Sequence, residues 1–289
     1  DAIEEKGSDP LTASLLAKRD SFYWINHTYS HPNLDTLSTS EILAEITKNQ
    51  QWARKNKIKT NARELVTGEH SGLSNPAMVQ ALNEARIDWV AADNSKQPTP
   101  YEIGRATTIP RHPSNLYYNV GTFEEQLDEY NYIYYNNCTN TPTTTCFSAP
   151  ATWQTYVNNE ATIMLRHVLT NDPRPHYVHQ SNLAEDGTMY PVVDEMLERY
   201  AKYVKVPIQQ PTFSAVGVLM ERHAIWQASS WPIPALSLSY YRNGYIYLRG
   251  ANTVIVPVTG ASLGSMYGAE RSGWVKVRQD RTMMLKVPA

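Results

Sequence analysis

Cysteine is scarce in this 289-residue sequence: there are two, Cys138 and Cys146. They lie in a polar loop, Asn-Cys-Thr-Asn-Thr-Pro-Thr-Thr-Thr-Cys, with no histidine near enough in sequence to make a metal knuckle. A local disulfide is the expected state. Asn137-Cys138-Thr139 is also an acceptor sequon for N-glycosylation if the source is eukaryotic. Both features point outside the cytosol, so a secreted or cell-surface protein is expected. Long apolar runs are missing as well. None approaches the roughly 18–20 residues of a membrane span, and the first thirty residues lack a basic-then-apolar signal pattern. A charge excess is absent too, with 26 Lys and Arg against 28 Asp and Glu. Phosphate-backbone binding needs a basic surplus, so nucleic acid is not an expected partner. Phenylalanine is rare, 4 residues against 19 Tyr and 7 Trp. Rings that pack on one side and hydrogen-bond on the other suit sugar platforms and ordinary cores alike.

What is present reads as an α/β chain without internal repeats. Ser21 to Ile25 is a short apolar run that ends at a histidine segment. Ser38 with Glu41 makes a capping box, and Ile42, Leu43, Ile46 and Trp52 recur at helical spacing to about Lys55. A strand near Arg63 to Thr67 ends in Gly68-Glu69-His70-Ser71-Gly72, and Asn75-Pro76 opens a helix through Ala85 with Met78, Val79 and Leu82 on one side. Ile87 to Ala92 repeats the pattern and stops at Asp93-Asn94-Ser95. Thr122 with Glu125 caps a helix to about Tyr134, and Trp153 to Leu169 forms a longer one. Pro175 to Val178 reads as a strand ending at His179-Gln180-Ser181-Asn182, with helices at about 191–204 and 214–227 after it. From Ser229 the texture turns β-rich, which sets a boundary near 228 and gives two expected segments, 1–228 and 229–289. The tail is either a small glycan-binding β-module or a set of strands packed back on the first segment.

The polar residues cluster just after strands: Glu69 and His70, Asp93 and Asn94, His179 and Gln180. In a barrel of parallel strands such positions converge on one face, where active sites of these folds lie. His27 and His31 follow a strand in the same way. On a helical turn an i, i+4 pair puts two imidazoles on one side, within reach of one divalent ion. A capping or surface pair has the same spacing. Arg111, in Ile109-Pro110-Arg111-His112-Pro113, is either a solvent-facing loop residue or one that binds a sugar hydroxyl or orients a carboxylate. Tyr117 and Tyr118 are candidate sugar platforms.

The segment Asn26-His27-Thr28-Tyr29-Ser30-His31, followed by Thr67-Gly68-Glu69-His70-Ser71-Gly72-Leu73 and His176-Tyr177-Val178-His179-Gln180-Ser181-Asn182, resembles a known family. His27-Thr28-x-x-His31 matches the His-[Ser/Thr]-x-x-His motif of polysaccharide deacetylases of the NodB-homology kind. The ordered set of three is most similar to exopolysaccharide deacetylases of the Agd3 and PelA type, over roughly residues 20 to 185. The resemblance implies a distorted (β/α) barrel, to which the texture after Ser229 adds a β-rich C-terminal segment. It implies a divalent metal, with a zinc-like ligand set, held by His27, His31 and an aspartate. It further implies metal-activated water attacking an acetamide carbonyl of an N-acetylhexosamine polymer resembling galactosaminogalactan, with His179 as general acid. Asp93 is the candidate for tuning that acid or base, while Asp88 is assigned to a salt bridge. Glu69, His70, Arg111 and Tyr117 are the candidate substrate contacts.

One family element has no counterpart. Two aspartates on the opening barrel strand are the family's catalytic base and third metal ligand, and they precede the histidine pair. Only Asp1, Asp9 and Asp20 stand before His27, none of them in an acidic pair on an apolar strand. The expectation is that the base and third ligand lie upstream of residue 1 or on a separate chain that completes the barrel. The alternative is an inactive glycan-binding protein of deacetylase ancestry. A glycosidase using Glu69 and Asp93 is a third reading, which needs carboxyl groups about 5–9.5 Å apart.

Overall fold

In the computed structural model, residues 9–142, 144–230 and 235–288 are described here. Asp1 with the rest of the opening tract, and Thr143 of the threonine-rich loop, lie outside that set. The chain divides into two compact units. The first comprises the residues up to Tyr156 together with Pro173–Tyr190 and Pro211–Gly217; the second comprises Val157–Asp172, Pro191–Gln210 and the chain from Val218 onward.

The first unit is built on a curled half-barrel of five parallel strands: β1 (Trp24–Asn26), β2 (Thr60–Leu65), β3 (Trp89–Asp93), β5 (Ala106–Pro113) and β6 (His176–Tyr177). A short antiparallel strand, β4 (Glu102–Ile103), pairs with the start of β5. Helix α1 (Pro10–Ala17) precedes the sheet and is capped by Asp9, whose carboxylate accepts from the Leu11 and Thr12 backbone N–H groups. Helices α2 (Thr39–Lys55) and α3 (Pro76–Ala85) cover one face. α2 begins at the Ser38–Glu41 capping box, and its Ile42 and Ile46 are fully buried. α3 starts at Pro76 under an Asn75 cap and turns Met78, Ala81 and Leu82 inward. Val79, expected on the same side as Met78 and Leu82, is 40 % exposed. These side chains meet Leu65, Ile87 and Val90 in a single core. Complete burial of each such side chain contributes about 1.5–3 kcal/mol.

Strand alternation sends the neighbouring residues to the other face of the sheet. Glu64 pairs with Trp89 in register, beside Leu65 with Val90. Glu64 is fully buried, and its carboxylate accepts from the Tyr23 hydroxyl (2.7 Å), Asn61 Nδ2 (3.0 Å) and the Ser214 backbone N–H (2.9 Å), with the Ser214 hydroxyl as a further donor. Ser214 is in the first turn of helix α7 (Phe213–Ser230). One turn on, Gly217 lies directly against the Trp89 ring, where even a methyl group would overlap the indole.

Helix α4 (Phe123–Asn131) carries the second expected capping box, Thr122 with Glu125, and passes into a π-helical turn, Tyr132–Asn136. After it, Cys138 and Cys146 form the expected disulfide. Helices α5 (Trp153–Leu169) and α6 (Met189–Tyr203) follow within a residue or two of their expected bounds.

The C-terminal strands of the second unit form two three-stranded antiparallel sheets. One is ordered β10 (Ser265–Tyr267), β11 (Glu270–Val277), β9 (Val254–Thr259); the other is ordered β12 (Met283–Lys286), β8 (Tyr245–Gly250), β7 (Leu236–Arg242). Leu248 from the second sheet and Val254, Val256 and Val277 from the first share one apolar core.

Candidate active site

The candidate residues gather at the carboxyl ends of the parallel strands. His27 follows β1. It is not on a helical turn with His31, as the spacing predicted; the two rings approach across an irregular loop in which Thr28 (φ 64°) and His31 (φ 56°) are left-handed. The centroids are 4.8 Å apart at an interplanar angle of 82°. Non-glycine residues rarely adopt such backbone angles and keep them only where the surroundings enforce them. Here the enforcement comes from α2. Asn49 Nδ2 donates to the Thr28 carbonyl (2.7 Å), and Glu45 accepts from the Tyr29 N–H (2.8 Å), the Ser30 N–H (2.7 Å) and the Ser30 hydroxyl (2.8 Å). Asn26 completes the frame: its Oδ1 accepts the Thr28 N–H and its Nδ2 donates to the Ile46 carbonyl, both at 2.9 Å.

His27 Nδ1 lies 2.9 Å from the Val66 carbonyl oxygen. A carbonyl only accepts, so Nδ1 carries the hydrogen and Nε2 keeps its lone pair. That is the tautomer a metal ligand needs. His31 stacks on the backbone of Gly68, where an added Cβ would sit 2.8 Å from Cε1 of the imidazole. The pair thus fits two positions of a metal site, with one ring nitrogen locked and a glycine making room for the other ring. Among the described residues no group of three or more His, Cys, Asp or Glu forms a metal-holding set.

Glu69 and His70 follow β2 in a short 3-10 turn, Gly68–His70, and both are left-handed (φ 55° and 53°). Glu69 accepts from Asn33 Nδ2 at 2.8 Å, which ties this turn to the loop after His31. His70 Nε2 accepts from Arg111 Nη2 at 2.7 Å. Arg111 is on strand β5, not on a solvent-facing loop, and its guanidinium lies 4.7 Å above the Tyr177 ring. Its Nε is buried with no hydrogen-bond partner among the described residues. Burial pulls the Arg111 pKa down to about 10. Burial, followed by the Arg111 charge, holds His70 down at about 4. Tyr177 is pushed up to about 12 by burial and by the Asp93 charge.

Asp93 closes β3, is 9 % exposed, and accepts from the Ser95 N–H and hydroxyl, each at 2.8 Å. It lines an open cleft of about 690 Å³ together with Asp35, Glu69, His70, Lys96 and Tyr101. Asp88 points elsewhere and is ion-paired to Arg63 and Arg105, each at 2.7 Å. His179 follows β6 with its ring 6.0 Å from both Tyr177 and Tyr118. Loss of hydration, then the positive charge of Arg111 and of His31, lowers its pKa. Loss of hydration also lowers that of His27, against the hydrogen bond to Val66, and the neighbouring His31, Arg111 and His179 add to the lowering. His176 turns to His112, 5.3 Å away. Tyr117 is held through its backbone, its N–H donating to Gln126 Oε1 (3.1 Å) and its carbonyl accepting from Asn182 Nδ2 (2.8 Å). Tyr118, 72 % exposed, is the tyrosine whose ring edges His179.

His27, His31, His70, Asp93, Arg111 and His179 therefore belong to one electrostatic neighbourhood. Sequence reasoning missed Tyr177, although it stands between the two histidines of the third motif. It also missed Glu45 and Asn49, whose i, i+4 spacing on α2 was the available signal.

Residues 6–201 match the family of the Agd3 deacetylase domain. The chain belongs to that family. The crystal structure of Agd3, a carbohydrate deacetylase, superimposes with a TM-score of 0.78 at 17 % sequence identity, covering 97 % of this chain and 47 % of that one. This chain thus spans about half the length of the Agd3 chain it matches. No curated protein matches it. At this identity the superposition establishes the Agd3 fold, including the half-barrel and the β-rich C-terminal segment.

Proposed function

We propose that this Agd3-family chain contributes to N-deacetylation of an N-acetylhexosamine exopolysaccharide, a galactosaminogalactan-like polymer, outside the cell. The reading rests on one observation above all: two histidines of the family motif meet at 4.8 Å, with His27 Nδ1 fixed on the Val66 carbonyl. His27 and His31 would hold a divalent metal of zinc type through the free ring nitrogens. A third, carboxylate ligand and the catalytic base would come from a segment outside residues 1–289. Such a metal, when bound, lowers the pKa of water to about 7 and polarises a carbonyl oxygen.

The chain's own residues account for the rest. Water adds to the acetamide carbonyl, the C–N bond breaks, acetate leaves, and the sugar amine takes a proton from His179. The resting pKa of His179 is lowered by Arg111 and His31 after loss of hydration. Negative charge on the attacked carbonyl opposes the charge of Arg111, so His179 gains proton affinity as the amide is attacked. Glu69, His70, Arg111 and Tyr117 contact the sugar, and Asp93 tunes the charge of the cluster. Arg111 suits this role because its guanidinium is desolvated and makes no ion pair among the described residues.

The test is acetate release from a partially acetylated galactosamine polymer, measured with and without a chelator and with the upstream segment restored. Acetate release that stops on chelation and returns with zinc is expected. Bound metal without acetate release in the completed protein would instead identify a glycan-binding relative.

A further inference from the structure

The second unit carries a surface that the deacetylase reading does not use. In the β12–β8–β7 sheet, Ile246, Leu248 and Leu285 face the shared core. Strand alternation therefore turns Leu238, Tyr240 and Arg242 of β7, Tyr245, Tyr247 and Arg249 of β8, and Met284 and Lys286 of β12 to the opposite face. The register aligns them in rows: Tyr240 opposite Tyr247 opposite Met284, and Arg242 opposite Tyr245 opposite Lys286.

Tyr240 and Tyr247 are stacked, with centroids 4.6 Å apart and planes 4° from parallel. Tyr240 is on the edge strand, so no further strand of that sheet covers the ring face turned away from Tyr247, and the residue is 41 % exposed. Where the β7 register shifts, a groove of about 420 Å³ opens between Leu238, Arg249 and Gln279. Arg249 is fixed there by its Nε bond to the Gln279 carbonyl (2.8 Å), which leaves its two terminal amino groups for a ligand. Arg242, Arg249 and Lys286 are all exposed, and none is ion-paired among the described residues.

Charge is segregated along the sequence in the same sense. Residues 235–288 hold seven Lys and Arg against two Asp and Glu, a net of +5, in a chain whose total is −2. Exposed aromatic faces flanked by unpaired cations take a ligand that offers an apolar ring face and an acidic group on the same unit. We infer that the Tyr240/Tyr247 face binds an acidic polysaccharide whose sugar rings rest on the tyrosines and whose carboxylates pair with Arg242, Arg249 and Lys286. This site would not retain a deacetylated polymer, whose free amines are themselves cationic. The inference stands independently of the deacetylase reading.

Affinity electrophoresis and calorimetry of the full chain against polygalacturonate, neutral dextran and a single-stranded oligothymidine test it. Binding to polygalacturonate that weakens with salt, and that falls at least about tenfold in Tyr240→Ala and in the triple variant Arg242→Ala/Arg249→Ala/Lys286→Ala, is expected. Tyr241, 65 % exposed on the other side of the same strand, is the control, and Tyr241→Ala should bind as the parent does. No binding to polygalacturonate, equal binding to dextran, tighter binding to the oligonucleotide, or binding unmoved by both variants would overturn the inference. Acetate release from a small soluble acetamido sugar is followed in parallel, so that failure of this surface and failure of the deacetylase reading are told apart.

Discussion

Arg111 donates from Nη2 to Nε2 of His70 across 2.7 Å, a bond that exists only while the imidazole is neutral. The pKa of His70 is about 4 in the folded protein, against about 6.5 in an unfolded chain. The unfolded chain therefore binds the proton more readily, and the stability that neutral His70 contributes is complete above about pH 6.5 and drains away as the pH falls toward 4. His27 and His179, lowered in the same direction, add to the loss below their unfolded values. Thermal unfolding between pH 7 and pH 4 should show a falling Tm, and His70→Gln should flatten that fall. An unchanged slope in the variant would place the acid sensitivity elsewhere.

Gly68 offers a test of the metal reading that leaves both histidines in place. Gly68→Ala drives a methyl group into the His31 ring, whose Cε1 is 2.8 Å from the ideal Cβ position. Zinc affinity, measured by competition with a chromogenic chelator, should fall about 10–100-fold, the usual cost of misorienting a ligand. His27→Ala and His31→Ala should lose the metal outright while circular dichroism stays unchanged.

Glu45 does not line the cleft, yet it holds the loop between His27 and His31 through three hydrogen bonds. Glu45→Ala should raise the hydrogen-exchange rates of the Tyr29 and Ser30 amides and weaken metal binding roughly tenfold. Glu45→Gln keeps one acceptor oxygen and should restore part of both. A variant that weakens metal binding with the two amides still protected would show that Glu45 acts by its charge alone.

Inside the half-barrel the Glu64 carboxylate takes four donors, from Tyr23, Asn61 and both the amide and hydroxyl of Ser214. Glu64→Ala leaves the Ser214 amide and Tyr23 hydroxyl without their acceptor inside the sheet and should cost about 3 kcal/mol or more. Glu64→Gln should cost less, about 1–2 kcal/mol. Urea denaturation gives both values. A loss below 1 kcal/mol for the alanine variant would mean that water replaces the carboxylate.

Much of this was legible in the sequence, and the exceptions have physical causes. The capping boxes at Ser38/Glu41 and Thr122/Glu125 form as expected because each closes with local atoms only. Polar residues after β2, β3 and β6 do sit together, since parallel strands bring their carboxyl ends to one side. Strand β5 was invisible because Pro110 and Pro113 read as breakers. The structure tolerates Pro110 for a local reason. Thr108 N–H bonds to Tyr101 and His112 N–H bonds to Pro175 on that side of β5. By alternation the missing N–H of Pro110 would fall between them, in the gap between β4 and β6. The histidine loop was misread for the converse reason: its shape is imposed by Asn49 and Glu45 from a helix some fifteen to twenty residues away, and i, i+4 spacing carries no trace of such a clamp.

The short stretch Pro211–Gly217 bears on how the protein is made. Glu64 and Trp89 receive Ser214 and Gly217 from about 130–150 residues further along the chain. During synthesis, therefore, the half-barrel should wait with the Glu64 carboxylate held by Tyr23 and Asn61 but short of its two Ser214 donors, and with an indole face bare, until residue 217 has left the ribosome. A nascent chain arrested before Pro211 should be the aggregation-prone species and the one that holds longest to a chaperone.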